Sequence, residues 1–105
     1  MTRVAFYSSG EQLIGFEIQG HSSASATDTE GKIVCAAISS AAYMTANTLT
    51  DVIGAAAEIQ VDEAKMVCRL TSKIQAAQPI LKGFWLHISQ LAQDYSNRIT
   101  LISEV

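Results

Sequence analysis

The stretch GHSSASATDTEGKIVCAAIS runs from Gly20 to Ser39. It carries one of the chain's two histidines near its start and one of its two cysteines near its end. A thiol and an imidazole joined by a run of small polar residues can serve as a nucleophile and its base. Cys35 is the first candidate. The apolar spacing predicts a helix over 33–53, which puts the Cys35 sulfur in the first turn. Unpaired backbone N–H groups and the positive end of the helix dipole favour a thiolate there. Lys32, just upstream, adds positive charge. A purely structural reading stands beside this one, because a cysteine among Val34, Ala36 and Ala37 also suits a small buried hydrophobe. His21 closes a strand and enters the polar loop. Imidazole is the side chain that exchanges protons near neutral pH, and a loop of this length can carry it back to the helix start. The alternative for His21 is an ordinary surface histidine.

The remaining reactive side chains point elsewhere. Cys68, in AKMVCRLT, shares a strand face with Ala64, Met66 and Leu70 and reads as core. His87, in FWLHIS, lies on the edge of a helical apolar stripe and reads as structural or surface. His21, Asp28, Glu30 and Cys35 have no CxxC or HxxxH spacing, so neither a metal nor another cofactor is expected. There is no phosphate loop, no GxGxxG turn, no Gly-x-Ser-x-Gly and no carboxylate pair.

These side chains need elements to position them. Residues 2–8 and 12–19 read as a hairpin, the second strand placing Ile14, Phe16 and Ile18 on one face. Residues 20–32 lose all apolar periodicity and read as a mobile surface loop. Loops of that length are uncommon unless functional. After the helix, Gly54 is a natural stop. Strands follow over 57–62 and 64–71. Gln78–Pro79 suggests the start of a second helix, since proline suits a first turn. Leu81, Phe84, Trp85, Ile88, Ala92 and Tyr95 make its stripe, and 98–103 closes as a strand. The order ββαββαβ, without strict βαβ alternation, predicts an α+β layer structure of mainly antiparallel strands with two helices.

Composition agrees with one domain. The chain has 105 residues, 49% hydrophobic and 16% charged, with a net charge of −3. That suffices for a core without a metal or disulfide. No basic stripe points to nucleic acid. The least charged stretch, 33–50, holds too many hydroxyl and amide groups for a membrane span and reads as a buried helix. Two cysteines make no disulfide framework, and MTRVAFYSSGEQ has no signal-peptide pattern, so a reducing cytoplasm is the expected setting.

Gly20-His21, followed after a loop by Ile33-Val34-Cys35-Ala36-Ala37-Ile38-Ser39, resembles the Prp family of ribosomal-processing cysteine proteases. The likeness extends over essentially the whole chain and ends in YSNRITLIS. It implies a cytoplasmic, homodimeric cysteine endopeptidase that removes a short N-terminal extension from the twenty-seventh protein of the large ribosomal subunit. By this resemblance His21 is the catalytic histidine and Cys35 the nucleophile. Gly20, Ser22, Gly31, Lys32 and Ser39 are supporting or substrate-binding positions. One departure stands out: the family pattern has an acidic residue where this chain has Lys32, leaving Asp28 or Glu30 to stand in. The partner implied is a ribosomal-protein precursor peptide, apolar or aromatic in character. A non-catalytic module that binds a ribosomal protein or aids ribosome assembly is the alternative.

Overall fold

The computed structural model describes residues 1–103. Its elements are β1 (Thr2–Ser9), β2 (Gln12–Gln19), α1 (Thr29–Asn47) continued by a π-helical turn (Thr48–Val52), β3 (Ala57–Asp62), β4 (Lys65–Leu70), α2 (Ile74–Asp94) and β5 (Ile99–Ser103). The order ββαββαβ is the one expected. The strands form one sheet in the order β3-β4-β2-β1-β5. Three neighbouring pairs are antiparallel, and β1 with β5 is parallel. The sheet is therefore mainly antiparallel, with β3 and β5 at its edges.

Period-two alternation decides which sheet face is buried. Phe6 pairs with Phe16, and Phe16 with Cys68, so these three share the helix-side face. Phe84 of α2 packs onto that face, its ring centroid 4.8 Å from Phe16 and 5.5 Å from Phe6. Such aromatic pairs add about 0.5–1.5 kcal/mol each beyond area burial. Val34, Ile38 and Ala42 of α1, with Leu49 beyond it, and Ala77, Leu81 and Ile88 of α2 complete the core. The apolar stretch at 33–50 thus gives one face to the core but is not buried as a whole, since Ile33 and Met44 are exposed; its length and hydropathy would also suit a membrane span.

Both helices begin earlier than their sequence patterns suggest. α1 starts a full turn before Ile33, because Asp28 is an N-cap whose side chain accepts from the Gly31 N–H. The loop joining β2 to α1 shortens accordingly and is internally tied, with Ala24 N–H donating to Asp28 Oδ2 at 2.8 Å. α2 starts at Ile74 behind Lys73, which adopts a left-handed backbone. Pro79 therefore lies inside the helix and not at its start. The Gln78 amide next to it donates to the carbonyls of Ile74 and Leu13, both at 2.8 Å, and accepts from the Leu13 N–H. One side chain thereby ties the proline-bearing turn to β2.

Candidate active site

Cys35 lies in the second turn of α1 and not in the first, as a consequence of the earlier helix start. Its own N–H belongs to the helical ladder. The dipole effect, which fades within the first turn, therefore explains little about this sulfur. A different donor serves it. The backbone N–H of Ser22 points at Cys35 Sγ from 3.1 Å. The β2–α1 loop thus folds back over the helix and hydrogen-bonds the thiol through the residue next to His21.

Cys35, Ser39 and Tyr43 recur at four-residue steps and share one helix face. They form one wall of a cleft of ≈ 170 Å³. Ile18, Met66 and Val61 stand in one row across β2, β4 and β3 and form the floor. Gly20 and His21 close the end nearest the sulfur. His21 is exposed and Cys35 half-buried, so both are open to a ligand in the cleft. Cys68 is the opposite case: it is fully buried, and burial pushes its thiol up to about 11.

The backbone around His21 is held on both sides. Gly20 donates its N–H to Ala64 O at 2.9 Å and has φ +91°. A Cβ there would come within 2.6 Å of Met1 O, so only glycine fits this turn. The Met1 nitrogen donates to His21 O at 2.6 Å. Ser22 is buried and every polar atom it has is engaged. Its hydroxyl donates to Arg98 O at 3.1 Å and meets the Thr2 hydroxyl at 2.6 Å. Its carbonyl accepts from Arg98 Nη1 at 2.8 Å.

Arg98, in the turn before β5, in turn grips Asp28 with two bonds, Nη1 to Oδ2 at 2.6 Å and Nη2 to Oδ1 at 3.1 Å. Glu30 Oε1 lies 3.6 Å from Arg98 Nε. Hydrogen bonds from Arg98, then from the N–H groups of Ala24 and Gly31, hold the Asp28 carboxyl well below the usual range. Asp28 raises the Arg98 guanidinium in return, with smaller contributions from Glu30 and Cys35.

The residues expected from sequence therefore divide. Gly20, His21, Cys35 and Ser39 line the cleft, and Ser22 reaches the sulfur through its backbone. Gly31 lies outside the cleft, buried beneath the Asp28–Arg98 pair, where a Cβ would meet Asp28 Oδ2 and Ser23 Cα at 2.5 Å and Arg98 Nη1 at 2.6 Å. Lys32 is exposed and does not line the cleft, and its side chain has no polar partner among the described residues. Asp28 and Glu30, the two carboxylates left to stand in for the family's acidic residue, both face Arg98, Asp28 at 2.6 Å and Glu30 at 3.6 Å. Arg98, Thr2, Tyr43 and Val61 were not legible as site residues. Arg98 is 70 residues from Asp28, and no local motif announces the pairing. Among the described residues no His, Cys, Asp or Glu cluster could hold a metal ion.

A half-buried thiol on a helix wall and an exposed imidazole at its end share this cleft, the pair of groups a thiol-dependent enzyme requires. The family model for cysteine protease Prp matches residues 1–100, and the chain belongs to that family of cysteine proteases. Solved structures share the fold. SMU.848 from Streptococcus mutans superposes with a TM-score of 0.84 at 23% identity, covering 99% of this chain and 94% of that one. The essential ribosomal processing protease Prp from S. aureus, bound to a covalently linked product peptide, gives a TM-score of 0.85 at 19% identity, covering 99% and 100%. The same S. aureus protease with a substrate peptide also gives 0.85, at 18% identity and the same coverage. No curated relative matches the sequence.

Proposed function

We propose that this protein is a cysteine endopeptidase in which Cys35 is the nucleophile and His21 the acid–base group. The observation that carries the reading is the shared cleft: Cys35 and His21 line it together, and the Ser22 N–H holds the sulfur. His21 takes the thiol proton, and the sulfur attacks a peptide carbonyl carbon. The resulting tetrahedral species collapses to a thioester as His21 protonates the departing amine. Water, deprotonated by His21, then cleaves the thioester and returns the thiol. With the Cys35 N–H committed to the helix, the Ser22 N–H is the main-chain donor best situated for the oxyanion once the sulfur is bonded to carbon. One such donor contributes roughly 3 kcal/mol to a transition state.

The substrate we propose is a ribosomal-protein precursor, the twenty-seventh of the large subunit, cut to release its N-terminal extension. Family membership supports this, as does likeness to a ribosomal processing protease. The floor of Ile18, Met66 and Val61 suits an extended peptide with apolar or aromatic side chains. A homodimer in a reducing cytoplasm is part of the same reading, supported by the open edge of β3 and by two free cysteines.

Cleavage of a peptide spanning the extension junction tests the assignment. Cys35→Ala should abolish turnover and His21→Ala reduce it at least about a hundredfold, while Cys68→Ala stays active. Equal activity in the two cysteine variants would reject Cys35. A wild-type protein that binds the peptide without cutting it would favour the non-catalytic module.

A further inference from the structure

We infer that Arg98 is a positioning residue for the reaction, acting through Ser22. The inference rests on Cys35 as nucleophile. The Arg98 guanidinium, gripped at two points by Asp28, fixes the Ser22 carbonyl and so restrains the residue whose N–H meets the Cys35 sulfur. The geometry is specific at each link. Arg98 Nη1 bonds Asp28 Oδ2 at 2.6 Å and Ser22 O at 2.8 Å, so one nitrogen joins the helix cap to the loop. Arg98 itself cannot drift. Its carbonyl accepts from the Thr2 N–H at 2.9 Å and from the Ser22 hydroxyl at 3.1 Å, and its N–H donates to Tyr95 O at 2.9 Å.

The Ser22 N–H belongs to the peptide unit between His21 and Ser22, and rotation of that unit would carry it off the sulfur; the Met1 nitrogen on His21 O holds one end of the unit. Three contacts fix its Ser22 end: Nη1 on the Ser22 carbonyl, in the next peptide unit, and Thr2 and Arg98 O on the Ser22 hydroxyl. The planar fork of arginine can meet both carboxylate oxygens and still spare a proton for a carbonyl, and the ammonium of lysine cannot match that arrangement. Arg98 and Asp28 do not line the cleft, so the effect should fall on turnover and thiol reactivity and spare binding.

The test compares wild type with Arg98→Met, Arg98→Lys and Asp28→Asn. Two quantities are measured: the alkylation rate of Cys35 by iodoacetamide at mildly acidic pH, located by mass spectrometry, and kcat and KM on the junction peptide. Arg98→Met should slow alkylation and lower kcat by about tenfold or more, with KM changed less than about twofold. Arg98→Lys should recover the thermal midpoint, because it restores the ion pair, but not the alkylation rate. Asp28→Asn keeps a helix cap yet turns its amide NH₂ toward Arg98 or Ala24, and should lose at least about threefold in both rates. If Arg98→Met does not fold, Asp28→Asn decides alone. Native alkylation and kcat in any folded variant of this set, or a loss confined to KM, overturns the role of Arg98 and leaves Cys35 untouched. Wild-type Cys35 that alkylates no faster than a free thiol overturns the nucleophile and this inference together.

Discussion

Asp28 serves two structures with one carboxylate: it caps α1 through Gly31 and anchors Arg98. Its low folded pKa has a consequence for stability. An unfolded aspartate takes up its proton near pH 3.9, whereas the folded Asp28 resists it to lower pH. Below about pH 4 the unfolded chain therefore binds more protons than the folded one, and acid draws the equilibrium toward unfolding. The contribution of Asp28 is complete above that pH and is lost as the pH falls toward its folded value. Urea midpoints should accordingly drop as the pH falls from about 4 to about 2, and drop less in Asp28→Asn. An equal drop in both proteins would place the acid sensitivity in other carboxylates. Cys68 shows the other use of a reactive residue. Buried against Phe16 and Ile59 partners in the sheet, with its thiol pushed up to about 11, it should resist alkylation until the chain unfolds.

α1 is where local sequence and fold part company. Gly31 argues locally against a helix, since glycine costs about 1 kcal/mol relative to alanine in a helix interior. The loss of apolar periodicity over 20–32 likewise places the first helical residue at Ile33. The helix nonetheless includes Gly31, because the missing Cβ makes room for Ser23, Asp28 and Arg98 above it. Gly31→Ala should therefore destabilise despite its better propensity, by roughly 1–3 kcal/mol as overpacking does, and should slow Cys35 alkylation. A thermal midpoint above wild type would show that the loop moves aside freely. α2 was misjudged for a related reason. Pro79 drew the start signal to itself, though Ile74, Ala77, Leu81, Phe84 and Ile88 already carry the helical period. The strand β2 was easier to read, because alternation in QLIGFEIQ reports directly on a strand with one buried face. His21, Cys35, Gly20 and Ser39 stood out through local motif. Arg98 did not, because its role exists only after β5 pairs with β1 and brings it beside the α1 cap.

At the scale of the whole molecule, the sheet is wider than its two helices. β3 turns Ile59 and Val61 to the helix side, the face shared with Met66 and Cys68, yet they remain 44% and 51% exposed. The uncovered strip continues the row that begins at Ile18 under Cys35, and Tyr43, 47% exposed, overhangs it from α1. An apolar shelf of this kind is a cost in a free protein and a gain once a peptide covers it. The proposed substrate gains by burying side chains there, in the ground state and the transition state alike. Uniform binding of that sort governs KM and leaves kcat alone. Val61→Asp should thus raise KM for the junction peptide about tenfold, the worth of roughly 1.4 kcal/mol, with kcat within about twofold. Its thermal midpoint should barely move, because an exposed edge-strand side chain contributes little to the core. A fall in kcat at constant KM would instead mean that the shelf acts on the sulfur's own geometry, and the peptide would have to lie along another face of α1.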